Sequence, residues 1–521
     1  MVSPSRPSAP SPPPAAPWQG GLDILQNLYA ATADYMAGLS HYTADFMVPF
    51  LISTRYFQQT EAVRAGRAAP ADTLAAYLGL LGQNIALMNR GTAGTLEMIR
   101  RYNDKELTDF MAALYKQVWG LDSDALLRIA RRQAQLMHQV TVAYPQAIAA
   151  IADEYGFHFE RGIHPLVAET DRFLLYQVMP SVEGVAPQRH AKPVCIIPPY
   201  VLGANILGFL PGEQRSYAHA FANRGIPTYI RILKDIAVNE ALQTMSAEDD
   251  ARDTALFCKT IKDRHGQPVT LNGYCQGGYN ALCAILSGLL DGLVDAFITC
   301  VAPMDGTRSR GLAGFLAKLP PRFNDLAYGT KTLANGNRVA DGTLMGWVYK
   351  LKSIETESPL AAFYRDLLMF AAQRNGALTV SKTAAGLNYW LGNERSDLPM
   401  AITKISFAAF NTPISDDGTL PVTLFGRRLN LTRIREKNLP WLICYGTHDD
   451  LVEADCALAP VDYVDAEVAP FPKGHVAMAT SWSHPDSDYA LHRRFDGGRY
   501  RGPVRFHLDL ANETDGAIDA R

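Results

Sequence analysis

Apolar residues in the first third of the chain recur at the spacing of an α-helix. One stripe consists of Leu74, Tyr77, Leu78, Leu81, Ile85 and Met88, and a second of Leu107, Phe110, Met111 and Leu114. A further segment begins near Ser123, a candidate N-cap, and reaches Pro145, where a helix would kink. The spacing predicts a helical domain over residues 21–160. Its stripes could dock on the rest of the chain, on a second subunit or on a lipid-like surface; we favour core and docking faces.

After about residue 165 the pattern changes to short apolar strands that alternate with helices. The predicted strands are Phe173–Val178, Val194–Pro198, Thr228–Ile230, Val269–Asn272, Ala296–Val301, Trp441–Tyr445 and Glu467–Phe471. Between them, Ser246–Lys262 predicts a helix that begins with Ser246 and Asp249 at capping-box spacing. Such alternation predicts an α/β class, a mostly parallel sheet covered by helices over residues 165–515. Residues 306–435 interrupt the alternation and predict an inserted cap.

Composition and charge remove several classes of protein. The 521 residues are 48% apolar, and a net charge of −3 with no long basic run argues against nucleic acid as a partner. The seven cysteines form no C-x-x-C pair, which argues against a disulfide framework or a zinc site and favours a cytoplasmic location. Residues 1–20 are rich in Pro, Ser and Ala and predict a disordered tail. No apolar run approaches the ~20 residues of a transmembrane segment.

One segment carries the pattern of a nucleophile. An apolar strand ends at Asn272 and is followed by Gly273-Tyr274-Cys275-Gln276-Gly277 and then by a helix. This is the G-x-S-x-G elbow of α/β-hydrolases with Cys in place of Ser. The turn would place the Cys275 thiol at a helix N-terminus, where the helix dipole stabilises a thiolate. We expect the backbone N–H groups of Gln276 and Val201 to bind an oxyanion.

An α/β-hydrolase orders its triad as nucleophile, acid and histidine, and the sequence supplies both partners in that order. Asp449 follows the predicted strand Trp441–Tyr445, with Asp450 as its rival for the acid. His475 follows the next strand, on a loop with Gly474, and is the candidate base. Two other histidines lie near the same loops, His448 and His484, and we interpret them as structural or solvent-facing.

These residues resemble the motifs of the polyhydroxyalkanoate synthases. The elbow is matched by Gly273, Tyr274, Cys275, Gly277 and Gly278, the acid motif by Gly446, Asp449, Leu451 and Val452, the base loop by Gly474, His475 and Val476, a strand ending Pro-Pro by Val194–Pro199, and a cap pair by Tyr389 and Trp390. The similarity covers about residues 165–490. The chain departs from the family after Pro-Pro, at Tyr200-Val201-Leu202-Gly203, and at Asp450 and Leu391, where the family has His and Asn.

The resemblance implies an acyltransferase that polymerises (R)-3-hydroxyacyl-coenzyme A thioesters through an acyl group on Cys275. It implies that His475 moves the proton and Asp449 orients His475, with neither metal nor redox cofactor. The expected partners are the hydroxyacyl-CoA substrate, the growing polyester and a second copy of the chain, with the polyester granule surface as a further candidate. Two alternatives stay open: a cysteine thioesterase or esterase of the same fold, and a non-catalytic granule-associated homologue.

Overall fold

The computed structural model describes residues 19–319, 326–373 and 378–508. These residues form two compact units. The first contains the described residues among 1–48, 87–147 and 354–380, and the second those among 49–86, 148–353 and 381–521. The units differ from the predicted domains, because the N-terminal helices and the cap region each contribute residues to both.

The chain begins with two long helices, α1 (Gln19–Ala65) and α2 (Pro70–Val118). After them come α3 (Ala125–His138), a π-helical turn (Gln139–Ala143) and α4 (Tyr144–Ala150). Three details of the prediction change. Both predicted stripes lie on the single helix α2, Asp124 rather than Ser123 occupies the N-cap of α3, and the predicted tail is helical at Gln19 and Gly20. The rest of that tail, residues 1–18, lies outside the described residues.

Most residues of the two apolar stripes of α2 are exposed, so the stripes do not form a core face of the described chain. Leu74 is 61% exposed and Leu107 is 60% exposed. The helix buries a different and narrower set of positions, Ala76, Leu87, Tyr102 and Ala113. Successive members of this set lie three or four helical turns apart, so they occupy one narrow sector of the helix. Most of the other large apolar side chains of α2 therefore remain exposed, while a few, among them Leu80 and Leu114, are half-buried.

In the first unit, a cluster of aromatic rings packs around Phe363 on the helix Pro359–Ala371. The rings of Tyr35 and Tyr42 meet that of Phe363 edge to face, with centroids 5.5 and 5.3 Å away. The Tyr42 hydroxyl also donates a hydrogen bond of 2.6 Å to Asp366, one turn further along that helix. These contacts tie α1 to residues of the predicted cap within the same unit.

The second unit contains an eight-stranded sheet. Its strands are β1 (Leu166–Glu169), β2 (Phe173–Val178), β3 (Val194–Ile197), β4 (Thr228–Leu233), β5 (Val269–Tyr274), β6 (Val294–Cys300), β7 (Trp441–Gly446) and β8 (Glu467–Phe471). They lie in the order β1-β2-β4-β3-β5-β6-β7-β8. Strand β2 is antiparallel to both its neighbours. The other six strands, β4-β3-β5-β6-β7-β8 in this order across the sheet, are parallel to one another. This is the α/β-hydrolase fold, as predicted. Only the edge strand β1 was missed, and its four residues are half-buried or exposed.

Helices connect the parallel strands and build the cap region. Their bounds are Tyr217–Ala222, Glu240–Gln243, Ala247–His265, Gln276–Ser287, Leu312–Leu316, Gly342–Lys352, Ile354–Glu357, Pro359–Ala371, Lys382–Asn393, Met400–Asn411, Thr432–Glu436 and Ala454–Ala457. Short strands lie at Thr330–Thr332, Arg338–Ala340, Leu398–Pro399, Thr419–Leu424, Arg427–Asn430, Arg494–Phe495 and Tyr500–Arg501. The predicted capping box of Ser246 and Asp249 is present, with both reciprocal hydrogen bonds formed. None of the described helices is both long and apolar enough to cross a bilayer.

A buried ion pair crosslinks the sheet to the loop after β3. Arg231 on β4 donates hydrogen bonds of 2.6 Å to Asp250 and to the hydroxyl of Tyr200. The Tyr200 hydroxyl in turn donates to Asp250, and all three side chains are almost fully buried. Each polar group thus satisfies another away from water, so removing one partner leaves an uncompensated charge.

We therefore expect Asp250→Ala to destabilise the protein by about 3–5 kcal/mol, because it leaves the buried Arg231 guanidinium without its partner carboxylate. Asp263→Ala is the matched control, since Asp263 pairs with Lys259 on the same helix but both side chains are more than half exposed. Urea denaturation should show a large fall in stability for the first variant and almost none for the second. Equal losses would show that the network contributes no more than a surface pair.

Candidate active site

The backbone at Cys275 makes the sharp turn that the sequence predicts. Cys275 directly follows β5 and directly precedes the helix Gln276–Ser287. Its φ of 52° and ψ of −128° are unfavourable for a residue with a side chain. The Cys275 N–H donates a hydrogen bond of 2.8 Å to the carbonyl oxygen of Cys300, at the end of the neighbouring strand β6. The turn is therefore held from one side by the sheet and from the other by the helix.

Three glycines leave the space that this turn needs. A Cβ at Gly277 would lie 2.4 Å from the carbonyl oxygens of both Ile197 and Pro198. A Cβ at Gly273 would lie 2.3 Å from the Cα of Gly278, and one at Gly278 would lie 2.9 Å from the carbonyl oxygen of Gly273. Most of these neighbours are backbone atoms, which have no rotamer to change. The strand and the helix can approach this closely only because all three positions lack a side chain.

Asp449 lies on the loop after β7 and faces His475. Its Oδ1 accepts the backbone N–H groups of Leu451 and Val452, both at 2.9 Å. Its Oδ2 lies 2.8 Å from Nδ1 of His475 and accepts a hydrogen bond from it. The carboxylate is thus buried with both oxygens bonded, an arrangement that fixes its orientation.

The rival carboxylate, Asp450, points elsewhere. Its side chain is 82% exposed and lies 3.1 Å from the ammonium group of Lys352. The two other histidines also make separate contacts. Nδ1 of His448 lies 3.1 Å from the Pro472 carbonyl oxygen, and Nδ1 of His484 accepts the N–H of Asp486. Of these candidates, the geometry brings only Asp449 to His475.

His475 is buried and held at two points. Nδ1 bonds to Asp449, and its backbone carbonyl accepts a 2.9 Å hydrogen bond from the hydroxyl of Tyr274, the residue before Cys275. Its Nε2 forms no hydrogen bond with a described residue. Burial lowers the pKa of His475, but the charges of Asp449 and of the nearby Cys275 outweigh it and raise that pKa well above its usual value.

The two expected oxyanion donors lie beside the thiol. Val201, Cys275 and Gln276 line one cavity. The backbone N–H groups of Val201 and Gln276 donate to no other group in the described part of the chain. Two hydrogen bonds hold the loop that carries Val201. The Ser396 N–H donates to the Val201 carbonyl oxygen at 3.2 Å, and the Trp390 indole donates to the Leu202 carbonyl oxygen at 2.8 Å.

The cavity at Cys275 measures about 100 Å³ and is mostly apolar. Two helices from the predicted cap form much of its wall, Gly342–Lys352 through Met345 and Tyr349, and Met400–Asn411 through Phe410. The Gln276 side chain donates a 2.5 Å hydrogen bond to Ser406 on the second of these helices, which ties the cap to the elbow. No group of three His, Cys, Asp or Glu side chains suited to a metal ion occurs among the described residues.

Tyr349 and Ser406 could not be singled out from the sequence. Both lie in the cap region, where the only available signal was a general richness in aromatic residues. Neither residue belongs to a motif, and each reaches the cavity only through the path of its helix. Cys275, Asp449 and His475, by contrast, each sit in a short local pattern next to a strand.

No family model and no curated protein matches this chain. The chain is similar to solved structures, among them a meta-cleavage product hydrolase (CumD) of Pseudomonas fluorescens, at 14% identity over 58% of this chain and 88% of that one, with a TM-score of 0.29. An α/β fold family hydrolase of Bacillus anthracis is 12% identical over 61% of this chain and 94% of that one, with a TM-score of 0.31. A bacterial membrane phospholipase A is 12% identical over 71% of this chain and 96% of that one, with a TM-score of 0.32. Likeness at this level assigns no activity, and the fold rests on the sheet order.

Replacing Gly277 tests the elbow. We expect Gly277→Ala to destabilise the protein by about 1–3 kcal/mol, because the new methyl group forces two backbone carbonyls apart. The control is Gly392→Ala, where an added Cβ has no neighbour within 4 Å. Thermal unfolding should show a lower midpoint for the first variant and an unchanged or higher one for the second. An unaffected Gly277→Ala protein would mean that the elbow is not tightly packed.

The Asp449–His475 pair predicts a pH dependence of stability. Because the pKa of His475 is raised in the folded protein, its stabilising effect is complete below the unfolded value of about 6.5 and is lost as the pH rises through the folded pKa. Asp449→Asn should therefore cost more stability at pH 6 than at pH 9, and Asp450→Asn should cost little at either. Urea denaturation at both pH values provides the measurement. A loss of equal size at pH 6 and pH 9 would contradict the charged pair.

Proposed function

We propose that this chain is a cysteine acyltransferase that polymerises (R)-3-hydroxyacyl-coenzyme A thioesters into a polyester. The observation that carries the proposal is that Cys275 and the backbone N–H groups of Gln276 and Val201, which donate to no other described residue, meet at one apolar cavity, with His475 interacting with Cys275. The motif resemblance to polyhydroxyalkanoate synthases supplies the substrate class. The thiol chemistry supports it, because exchange of an acyl group between two sulfur atoms is close to balanced in energy.

In the first half of the reaction, Nε2 of His475 takes the proton of the Cys275 thiol. The thiolate attacks the thioester carbonyl carbon, and the oxyanion that forms accepts hydrogen bonds from the N–H groups of Gln276 and Val201. The intermediate collapses, the carbon–sulfur bond to coenzyme A breaks, and the departing thiolate takes the proton from His475. The raised pKa of His475 favours the state in which the imidazole holds this proton.

In the second half, the hydroxyl of another hydroxyacyl unit gives its proton to His475 and attacks the acyl group on Cys275. An ester bond forms, and the Cys275 thiolate leaves. Asp449 orients the imidazole throughout and stabilises its charged form. The apolar cavity supports transfer to a hydroxyl over transfer to water, because few polar groups in it would hold a water molecule.

Hydrolysis is the alternative outcome on the same residues. If water reached the acyl group on Cys275, His475 would activate it and the product would be a free hydroxy acid. A protein that kept the fold without catalysis would form no acyl group at all. The nature of the product therefore distinguishes these three functions.

The test is incubation with 3-hydroxybutyryl-CoA, with thiol release followed by a colorimetric reagent and the protein and product analysed by mass spectrometry. We expect an acyl group on Cys275 and ester-linked oligomers. Cys275→Ala should abolish both, whereas Cys283→Ala, which removes a buried thiol on the following helix, should retain both. Release of free acid alone would overturn polymerisation in favour of a thioesterase, and thiol release by Cys275→Ala would overturn the nucleophile.

A further inference from the structure

The Val201 loop, residues 200–205, is held by one short segment of the predicted cap, residues 390–396. The Trp390 indole and the Ser396 N–H each donate a hydrogen bond to a backbone carbonyl oxygen near the start of this loop. These two bonds hold the backbone around Val201. The end of the loop is bound differently, by a charged side chain of the same segment.

That side chain is Glu394. Its Oε1 accepts a hydrogen bond of 2.6 Å from Nδ2 of Asn205, the last residue of the Val201 loop. Its Oε2 accepts one of 3.0 Å from the hydroxyl of Tyr155, which is itself buried. Burial raises the pKa of Glu394, although both hydrogen bonds act to lower it, so the carboxylate lies largely away from water. Because each oxygen is bonded to the protein, the position of the carboxylate is well defined.

The Val201 loop leaves room for this carboxylate at Gly203. The φ of Gly203 is 72°, a conformation that glycine adopts without strain. A Cβ at this position would lie 2.9 Å from Oε2 of Glu394, too close for a real side chain. The carboxylate therefore packs directly on the backbone two residues after Val201. A change at Glu394 would alter this turn and, through it, the direction of the Val201 N–H.

We propose that Glu394 is a positioning residue that holds the Val201 loop so that the Val201 N–H faces the acyl oxygen at Cys275. The inference rests on the proposed function, which supplies the acyl group and its oxyanion, and adds the side chain that sets the geometry of one donor. Glu394 is not among the described residues that line the cavity, so it acts through the loop rather than on the substrate. A donor displaced by about 1 Å can slow a reaction about 100-fold.

Two reactions of the Cys275 thiol separate this role from general support of the fold. Acylation by a thioester passes through an oxyanion, whereas alkylation by iodoacetamide displaces iodide from a saturated carbon and forms none. Both reactions need the thiolate and therefore His475. Rapid quenching and mass spectrometry of the Cys275 peptide give both rates, with 3-hydroxybutyryl-CoA as the thioester. We expect Glu394→Ala to slow acylation by about 10- to 100-fold and to leave alkylation unchanged.

Three further variants sharpen the test. Glu394→Gln should keep the wild-type ratio of acylation to alkylation, because its amide can still accept from Asn205 and can donate to the Tyr155 hydroxyl. Asn205→Ala removes the same contact from the side of the loop, so it should reproduce the loss seen in Glu394→Ala. Asp366→Ala is the control, since Asp366 is a buried carboxylate that accepts the Tyr42 hydroxyl and bonds no residue of the Val201 loop. It should keep the wild-type ratio.

A wild-type ratio in either Glu394→Ala or Asn205→Ala would overturn the positioning role. An equal loss in Glu394→Gln would overturn it as well, because the charge rather than the hydrogen bonds would then matter. Equal falls in acylation and alkylation would reduce Glu394 to a support of the fold.

Phenyl thioacetate, an activated thioester without coenzyme A, separates this inference from the proposed function. If it acylates Cys275 and 3-hydroxybutyryl-CoA does not, the proposed function fails, and the ratio measured with phenyl thioacetate still decides the role of Glu394. If neither thioester acylates Cys275 although iodoacetamide alkylates it, no oxyanion forms at this site and both proposals fail.

Discussion

The strained backbone of Cys275 is the constraint on which the site depends. A positive φ at a residue with a side chain is unfavourable, so the surrounding structure must hold it. Here β5 enters the turn and the helix Gln276–Ser287 leaves it, and the glycines at 273, 277 and 278 let the two elements approach. The same turn aims the thiol out of the sheet and leaves the Gln276 N–H beside it. One local conformation thus positions both the proposed nucleophile and the N–H group proposed to bind an oxyanion.

The order of the strands brings the other two residues to that turn. Strands β5, β7 and β8 are parallel, so their carboxyl ends lie at one edge of the sheet, and Asp449 and His475 follow the last two. Strands β6 and β7 lie between β5 and β8, and the hydroxyl of Tyr274, the last residue of β5, donates a hydrogen bond to the backbone carbonyl of His475, which follows β8. His475 is therefore held in position by the elbow residue Tyr274 as well as by the Asp449 carboxylate. The positions of the three residues follow from the sheet rather than from their distance along the chain.

The parts of this arrangement that are local in the chain could be predicted from the sequence. The strands Phe173–Val178 and Glu467–Phe471 match their predicted bounds, since runs of apolar residues between turns favour buried strands. The elbow at Cys275 could be predicted because its strain demands glycine at fixed offsets. The choice between Asp449 and Asp450 needed the structure, because two adjacent carboxylates differ only in the direction in which the loop turns them. Tyr349 was beyond prediction for the related reason that it reaches the cavity through the packing of the cap.

The N-terminal helices show where periodicity is insufficient. The apolar stripe through Leu74 has the spacing of a buried face, yet the helix buries another sector through Ala76 and Leu87. Periodicity states that residues share a face, and it does not state what covers that face. Helix length was misjudged as well, because nothing in the polar residues between the two stripes of α2 terminates a helix. Both errors concern the relation of a helix to its surroundings.

The late position of β7 in the chain affects how the protein folds while it is synthesised on the ribosome. Strand β6 ends at Cys300 and pairs with β7, which begins only at Trp441, so residues 301–440 must be synthesised before that edge is covered. At about 5–20 residues per second this takes roughly 7–28 s. Throughout that interval the nascent chain carries an apolar strand with an unpaired edge, the kind of surface that chaperones bind and that neighbouring nascent chains can join. The insertion between β6 and β7 thus lengthens the period in which the chain is most prone to aggregate.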